Sequence, residues 1–277
     1  EFTTVGSSLS LSPTYVRAYE QAAYQLLDDL FKGPAERLAK VVNCAPQSAA
    51  DDCTRGVVSS FASRAWRRPV TDEEVQALLA PVTTAIGAGL DAREGVKYAL
   101  AGVLLSPHFL FKVELDKTPI TQAPRELSPH ELATRLSYAL WGTLPDTELR
   151  RVADAGELQK DETLSAQVDR LLADDRTDAL VAGFATEWLD LEKLTSHEVE
   201  DSLFPDYSSK IATAMRAEAT GFFAEFLRSS QPVSELFTAR FTFVNDDLAS
   251  WYGLQAPAGT GTRKVYTTGS QRAGLLT

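Results

Sequence analysis

The stretch "SPHELATRLSYALWG", Ser128–Gly142, decides the fold class. Ser128 and Glu131 have the spacing of a capping box, in which each side chain bonds the other residue's backbone amide, and Pro129 fills the first helical position. Leu132, Leu136 and Leu140 then recur at helical spacing, and Gly142 stands where a left-handed residue closes a helix. A helix over this stretch follows from local chemistry alone.

The same grammar recurs on both sides. Thr71 with Glu74 opens a helix carrying Val75, Leu78, Leu79 and Val82, and Asp91 with Glu94 resembles the same device ahead of Leu100, Val103 and Leu104. Ser12-Pro13 starts a helix whose stripe is Val16, Tyr19, Ala23, Leu26, Leu27 and Leu30. A short helix fits residues 34–42. Val57, Val58, Phe61, Ala65 and Trp66 form another stripe, stopped by Pro69. Downstream, helices are expected from Asp146 to Gly156, over 161–173 and 176–190, and from Ser208 through Ile211, Met215, Phe222, Phe223, Phe226 and Leu227. "FTFVNDDLASWYG", Phe241–Gly253, reads as a short extended piece and then a brief helix capped by Asn245; a short strand fits Arg263–Tyr266.

No run alternates with period two for long enough to build a sheet of any size. The expected fold is all-α, an irregular bundle of about ten helices. "DKTPITQAPRE", Asp116–Glu126, has two prolines and no apolar stripe. It places a linker at 119–126 between an N-terminal half, 1–118, and a C-terminal half, 127–277, which can share one core.

Composition narrows the function classes. A chain of 277 residues with 44% hydrophobic content can bury one large core or two modest ones. It has no apolar run near the ~20 residues of a membrane span. A net charge of −11 sets it against phosphate backbones, so no nucleic-acid partner is expected. Three histidines and one Met offer little to transition metals, and no metal site or cofactor is expected within the chain. It opens on Glu1-Phe2 and stops at "RAGLLT", the aspect of a portion of a longer protein whose secretory leader lies elsewhere.

"CAPQSAADDC" holds the only two cysteines, Cys44 and Cys53. A zinc site wants four ligands with closer pairs, and no C-x-x-C-H is present for haem attachment. Two buried thiols remain the alternative. The polar character of the loop favours a disulfide, worth about 2.5–3 kcal/mol for so short a loop, and with it a secreted or periplasmic location.

Side chains with chemistry are few. His108 reads as a loop histidine bonded to backbone, and His130 as a solvated first-turn residue. His197, with Glu198, Glu200 and Asp201, has the oxygen ligands calcium uses but not the spacing or glycine of a calcium loop. Glu187, Glu218 and Asp246 are the candidate catalytic carboxylates, since glycoside hydrolysis needs a facing pair. Trp188, Trp251 and Tyr252 lie beside them in sequence as candidate sugar-stacking residues. Arg64, Arg67 and Arg68 end a helix, where cations suit the helix dipole. Arg135 is expected to pair with Glu131 or Glu187.

The order of "FASRAWRRPVTDEEV", "LLSPHFLFKVE", "LSPHELATRLSYALWGTLPDTEL", "FATEWLDLEKL", "AMRAEATGFF" and "FTFVNDDLASWYG" resembles a family of uncharacterised helical domains. Those domains occur in large secreted proteins of planctomycetes and myxobacteria, associated with planctomycete-type cytochrome c domains. The resemblance extends over nearly the whole chain and includes the cysteine pair. It implies an exported multidomain protein, with a polysaccharide or a flanking haem domain as partner. No catalytic residue carries over from it. The expected function is a binding or scaffold module linked to extracellular polysaccharide use or redox chemistry, with carboxylate-dependent glycoside hydrolysis as the alternative.

Overall fold

The computed structural model describes residues 12–114, 125–196, 199–200, 202–229, 231–255, 258–267 and 271–275. Residues 119–124 of the expected linker, and His197, Glu198 and Asp201, lie outside them. The fold is all-α, with one small hairpin among the described residues. It divides into two compact units: an N-terminal unit reaching Leu136 and including Leu144–Asp161, and a C-terminal unit of Ser137–Thr143 and the chain from Glu162.

The N-terminal unit is built on α1 (Pro13–Lys32), α2 (Ala35–Ala39), α3 (Asp52–Ala65), α4 (Asp72–Gly87), α5 (Ala92–Leu105) and α6 (Pro107–Leu110). Leu27, Phe31, Val57, Val58, Val75, Leu79, Val82, Val96 and Leu100 form its core. The α4–α5 contact is close because Gly95 has no side chain; a Cβ there would lie 2.9 Å from the Val82 Cα. Thr71 and Glu74 form the expected reciprocal capping box at the start of α4. At the start of α5, Asp91 accepts from the Glu94 amide at 2.7 Å.

On α1 the buried seam is Ala23, Leu27 and Phe31, and only part of the expected stripe turns inward. Tyr15, Val16, Tyr19 and Leu26 are exposed. A single amphipathic pattern fixes the helix but not which apolar residues find a partner.

Cys44 and Cys53 are bonded, with a Cα–Cα distance of 5.9 Å. The loop they close is knotted by Asp51, which caps α3. Its carboxylate accepts from the amides of Gln47 (2.9 Å), Ser48 (2.6 Å) and Thr54 (2.8 Å), and from the Thr54 hydroxyl (2.9 Å). Burial works against this charge, but those donors outweigh it and hold the carboxyl well below the usual range.

The basic cluster after α3 does more than face a helix dipole. Arg67 adopts φ 63° and is buried, at 4% exposure. Its guanidinium donates to the carbonyls of Ala65, His108, Phe109 and Phe111, the last three at the end of α6. Arg68 forks onto Glu74 at 2.9 and 2.6 Å, and draws that carboxyl down to about 2. Trp66 donates its indole N–H to the Val103 carbonyl at 3.2 Å and packs against the His108 ring at 5.0 Å. The "AWRRP" and "SPHF" motifs are thus two halves of one structural joint.

α7 (Pro129–Trp141) opens with the Ser128–Glu131 box, and Gly142 follows it at φ 65°. Its fully buried residues include Ala133, Ser137 and Trp141, one position round from the half-buried leucines that announced it. Arg135 pairs with Glu114 at 2.6 Å, not with the expected Glu131 or Glu187; Glu131 is taken by Arg125 at 2.9 Å. His130 meets Asp154 at 2.8 Å. α8 (Thr147–Asp154) completes the N-terminal unit.

In the C-terminal unit, α9 (Asp161–Leu172) is followed by a helical run that changes pitch. A 3₁₀ turn at Asp175–Thr177 leads into α10 (Asp178–Leu180), a π turn at Val181–Ala185 and α11 (Thr186–Trp188). The expected helix over 176–190 is this broken run. Then come α12 (Lys193–Ser196), α13 (Ser209–Arg228), β1 (Phe241–Val244), α14 (Asp246–Trp251) and β2 (Arg263–Tyr266). β1 and β2 pair antiparallel, Phe241 opposite Tyr266 and Val244 opposite Arg263. The hairpin packs on α13, where Gly221 leaves room for the Phe243 ring, and Phe222, Phe226 and Phe241 form a ring cluster.

Candidate functional site

Two constellations of the C-terminal unit concentrate chemistry. The first surrounds Glu218, in the middle of α13, on the side that meets the hairpin. Its Oε1 accepts from the Thr242 hydroxyl on β1, and its Oε2 accepts from the Tyr252 hydroxyl at 2.7 Å. The Arg272 guanidinium lies over the Tyr252 ring, 3.3 Å from its centroid. Burial raises the Glu218 carboxyl above its ordinary range, and the two hydroxyls and Arg272 only partly oppose it. Burial and the adjacent carboxylate likewise push the Tyr252 hydroxyl up. Glu218 is therefore a carboxyl biased towards its protonated form, held on both oxygens by hydroxyls.

Asp246 has a different setting. Its side chain is 73% exposed and pairs with Arg263. It tethers the first turn of α14 to β2. Trp251 packs edge-on to Tyr207 at 6.0 Å and belongs to the apolar cluster of Ile211, Val244 and Leu248. Glu187 is half-buried in α11. The sequence neighbours Asp246, Trp251 and Tyr252 thus split between an ion pair, a core edge and the Glu218 cluster.

The second constellation is a surface of three rings. Phe184, in the π turn, stacks on Trp188 with centroids 5.7 Å apart and planes 25° apart. Phe223 of α13 approaches them at 5.7 and 6.3 Å. Phe184 is 42% exposed and Trp188 40%. The backbone beneath is irregular. A π turn carries Phe184, and Asp190 at φ 52° closes the run, with the Leu191 amide bonded back to the Thr186 carbonyl at 3.0 Å. Thr186 is buried, and its hydroxyl lacks a hydrogen-bond partner among the described residues. Irregular helix of this kind concentrates at functional positions.

Sequence reasoning singled out Trp188, Tyr252, Glu218 and Asp246, but missed Phe184, Phe223, Thr242 and Arg272. The spacing of Phe184 and Trp188 in "FATEW" was the available signal for the ring pair. Nothing local announces Thr242 or Arg272, which reach their partners only through the hairpin and the chain after it.

Among the described residues, no group of three His, Cys, Asp or Glu side chains lies together as a metal site requires. No helix there is long and apolar enough to cross a membrane.

Two family models of unknown function match parts of the chain. Residues 127–254 match the model of PSD4, a protein of unknown function (DUF1592). Residues 53–114 match that of PSD5, a protein of unknown function (DUF1595). The first match takes in Glu187, Glu218, Asp246 and the three rings; the second begins at Cys53 and contains the Arg67 joint. No curated protein and no solved structure matches the chain.

Proposed function

We propose that the chain is a binding module of an exported multidomain protein, and that Phe184, Trp188 and Phe223 form its face for a polysaccharide. The observation that carries this reading is the exposed, near-parallel Phe184–Trp188 pair. A sugar ring presents flat C–H faces to such a surface, and rigid aromatic rings contribute contact area at low entropic cost. The Cys44–Cys53 bond supports an oxidising compartment, where extracellular glycans are met. A haem-bearing neighbour domain, implied by the motif resemblance, is the partner to which binding would be coupled.

The test is retardation of the chain in native gels loaded with individual soluble polysaccharides. One or more should slow it, and Trp188→Ala should abolish the shift without changing the fold. No shift with any polysaccharide, or a shift that Trp188→Ala leaves intact, would count against the reading.

One observation favours glycoside hydrolysis as a second reading: burial raises the Glu218 carboxyl above its ordinary range, the direction a general acid requires. Both of its oxygens are occupied by hydroxyl donors, which supports a structural role instead. Release of reducing sugar by the wild type, lost in Glu218→Gln, would establish catalysis; no release by the wild type would remove it.

A further inference from the structure

The N-terminal unit holds a surface cleft of about 620 Å³ between the disulfide loop and α4. This lies within the roughly 300–1,000 Å³ that small-molecule sites occupy. Leu79, only 4% exposed, is at its floor, and Ala50 and Ala80 keep it open with small side chains. Gln76 and Thr83 lie two turns apart on α4, and Arg55 reaches it from α3. Arg55 brings the cleft its cation.

The wall formed by the loop is fixed before any ligand arrives. The Cys44–Cys53 bond closes it, and Asp51 ties Gln47, Ser48 and Thr54 together from within. A preformed wall spares a ligand the cost of ordering it. Arg55 is held from outside by Asp72 at 2.5 Å, through Nη2 alone. The Asp72 side chain is 88% exposed, so this pair is weak and open to exchange. A ligand carboxylate can take the guanidinium fork that Asp72 holds by one nitrogen.

We infer that this cleft binds a hydroxylated small carboxylate, a sugar acid by chemical class. Arg55 receives the carboxylate, and Gln76 and Thr83 meet the hydroxyls. The site is separate from the aromatic face, and the inference does not depend on the proposed function.

Saturation-transfer NMR and calorimetry on the whole chain, with D-galacturonate as probe and D-galactose as uncharged control, test it. The inference expects saturable galacturonate binding and none for galactose. Arg55→Ala should weaken binding about tenfold or more, the loss of one bidentate ion pair. Asp72→Asn should tighten it several-fold by freeing the guanidinium. Opposite effects from two neighbouring surface substitutions cannot come from general unfolding. Ala80→Trp, which fills the cleft and leaves Arg55 in place, should abolish binding. Failure of galacturonate to bind, equal binding of galactose, or binding unmoved by Arg55→Ala or Ala80→Trp would each overturn the inference.

Discussion

Glu218 is the residue with the clearest stake in the molecule. A carboxyl whose folded pKa lies above its unfolded value keeps a proton that the unfolded chain has already released. Stability therefore falls as pH rises from the ordinary glutamate range through the folded pKa, and the cost persists above it. Glu218→Gln, which cannot ionise, should raise Tm at pH 7 and bring little or no gain near pH 4, as followed by circular dichroism. A loss of stability at pH 7 would show that the Tyr252 and Thr242 bonds need the charge. Arg67 makes the opposite wager. Its buried guanidinium bonds four carbonyls at a joint between α3 and α6, so Arg67→Ala should destabilise the N-terminal unit by about 2–4 kcal/mol. Urea unfolding checks this, and a change under about 0.5 kcal/mol would place those carbonyls in contact with solvent.

At the scale of elements, what was legible in the sequence was local. The two Ser/Thr–Glu capping boxes, the Asn245 cap and the Gly142 stop are set by neighbours within a few residues, and they stand where residue chemistry places them; the two short strands also fall where expected, though their pairing joins residues about 20 apart. Facing was less legible. α1 buries Ala23 and Leu27 of its expected stripe but leaves Val16, Tyr19 and Leu26 exposed, and α7 buries Ala133, Ser137 and Trp141 beside its half-buried leucines, because the choice among apolar positions belongs to the partner helix. The broken run at Asp175–Trp188 was not legible at all: a π turn leaves the apolar spacing almost unchanged while altering the hydrogen bonds beneath it. The disulfide loop was read correctly because two cysteines with no other ligand partners leave few alternatives. Its reduction should lower stability by about 2–3 kcal/mol in the chain-entropy account. Unfolded, unreduced protein should show no titratable thiol, and two thiols per chain would remove the support for export.

For the whole molecule, the candidate sites show why function is harder to read than fold. Glu187 was grouped with Trp188, and Asp246 with Trp251 and Tyr252, by proximity along the chain, yet Asp246 has an exposed ion pair and Trp251 a core edge. The groups that meet Glu218 come from β1, the residue that caps α14 and the segment after β2, a convergence that needs the hairpin. The ring face joins a π turn to α13 across 34 residues of intervening chain between Trp188 and Phe223. Such meetings are tertiary, and periodicity is silent about them. The same structure leaves Phe184 and Trp188 partly in water, at 42% and 40% exposure.

Calorimetric titration of the wild type, Trp188→Phe and Trp188→Ala with the polysaccharide that binds best is the most direct test of the binding-module account. It predicts saturable binding for the wild type, partial retention with phenylalanine, and a Kd raised about tenfold or more with alanine at unchanged Tm. Equal affinity in all three proteins would contradict it.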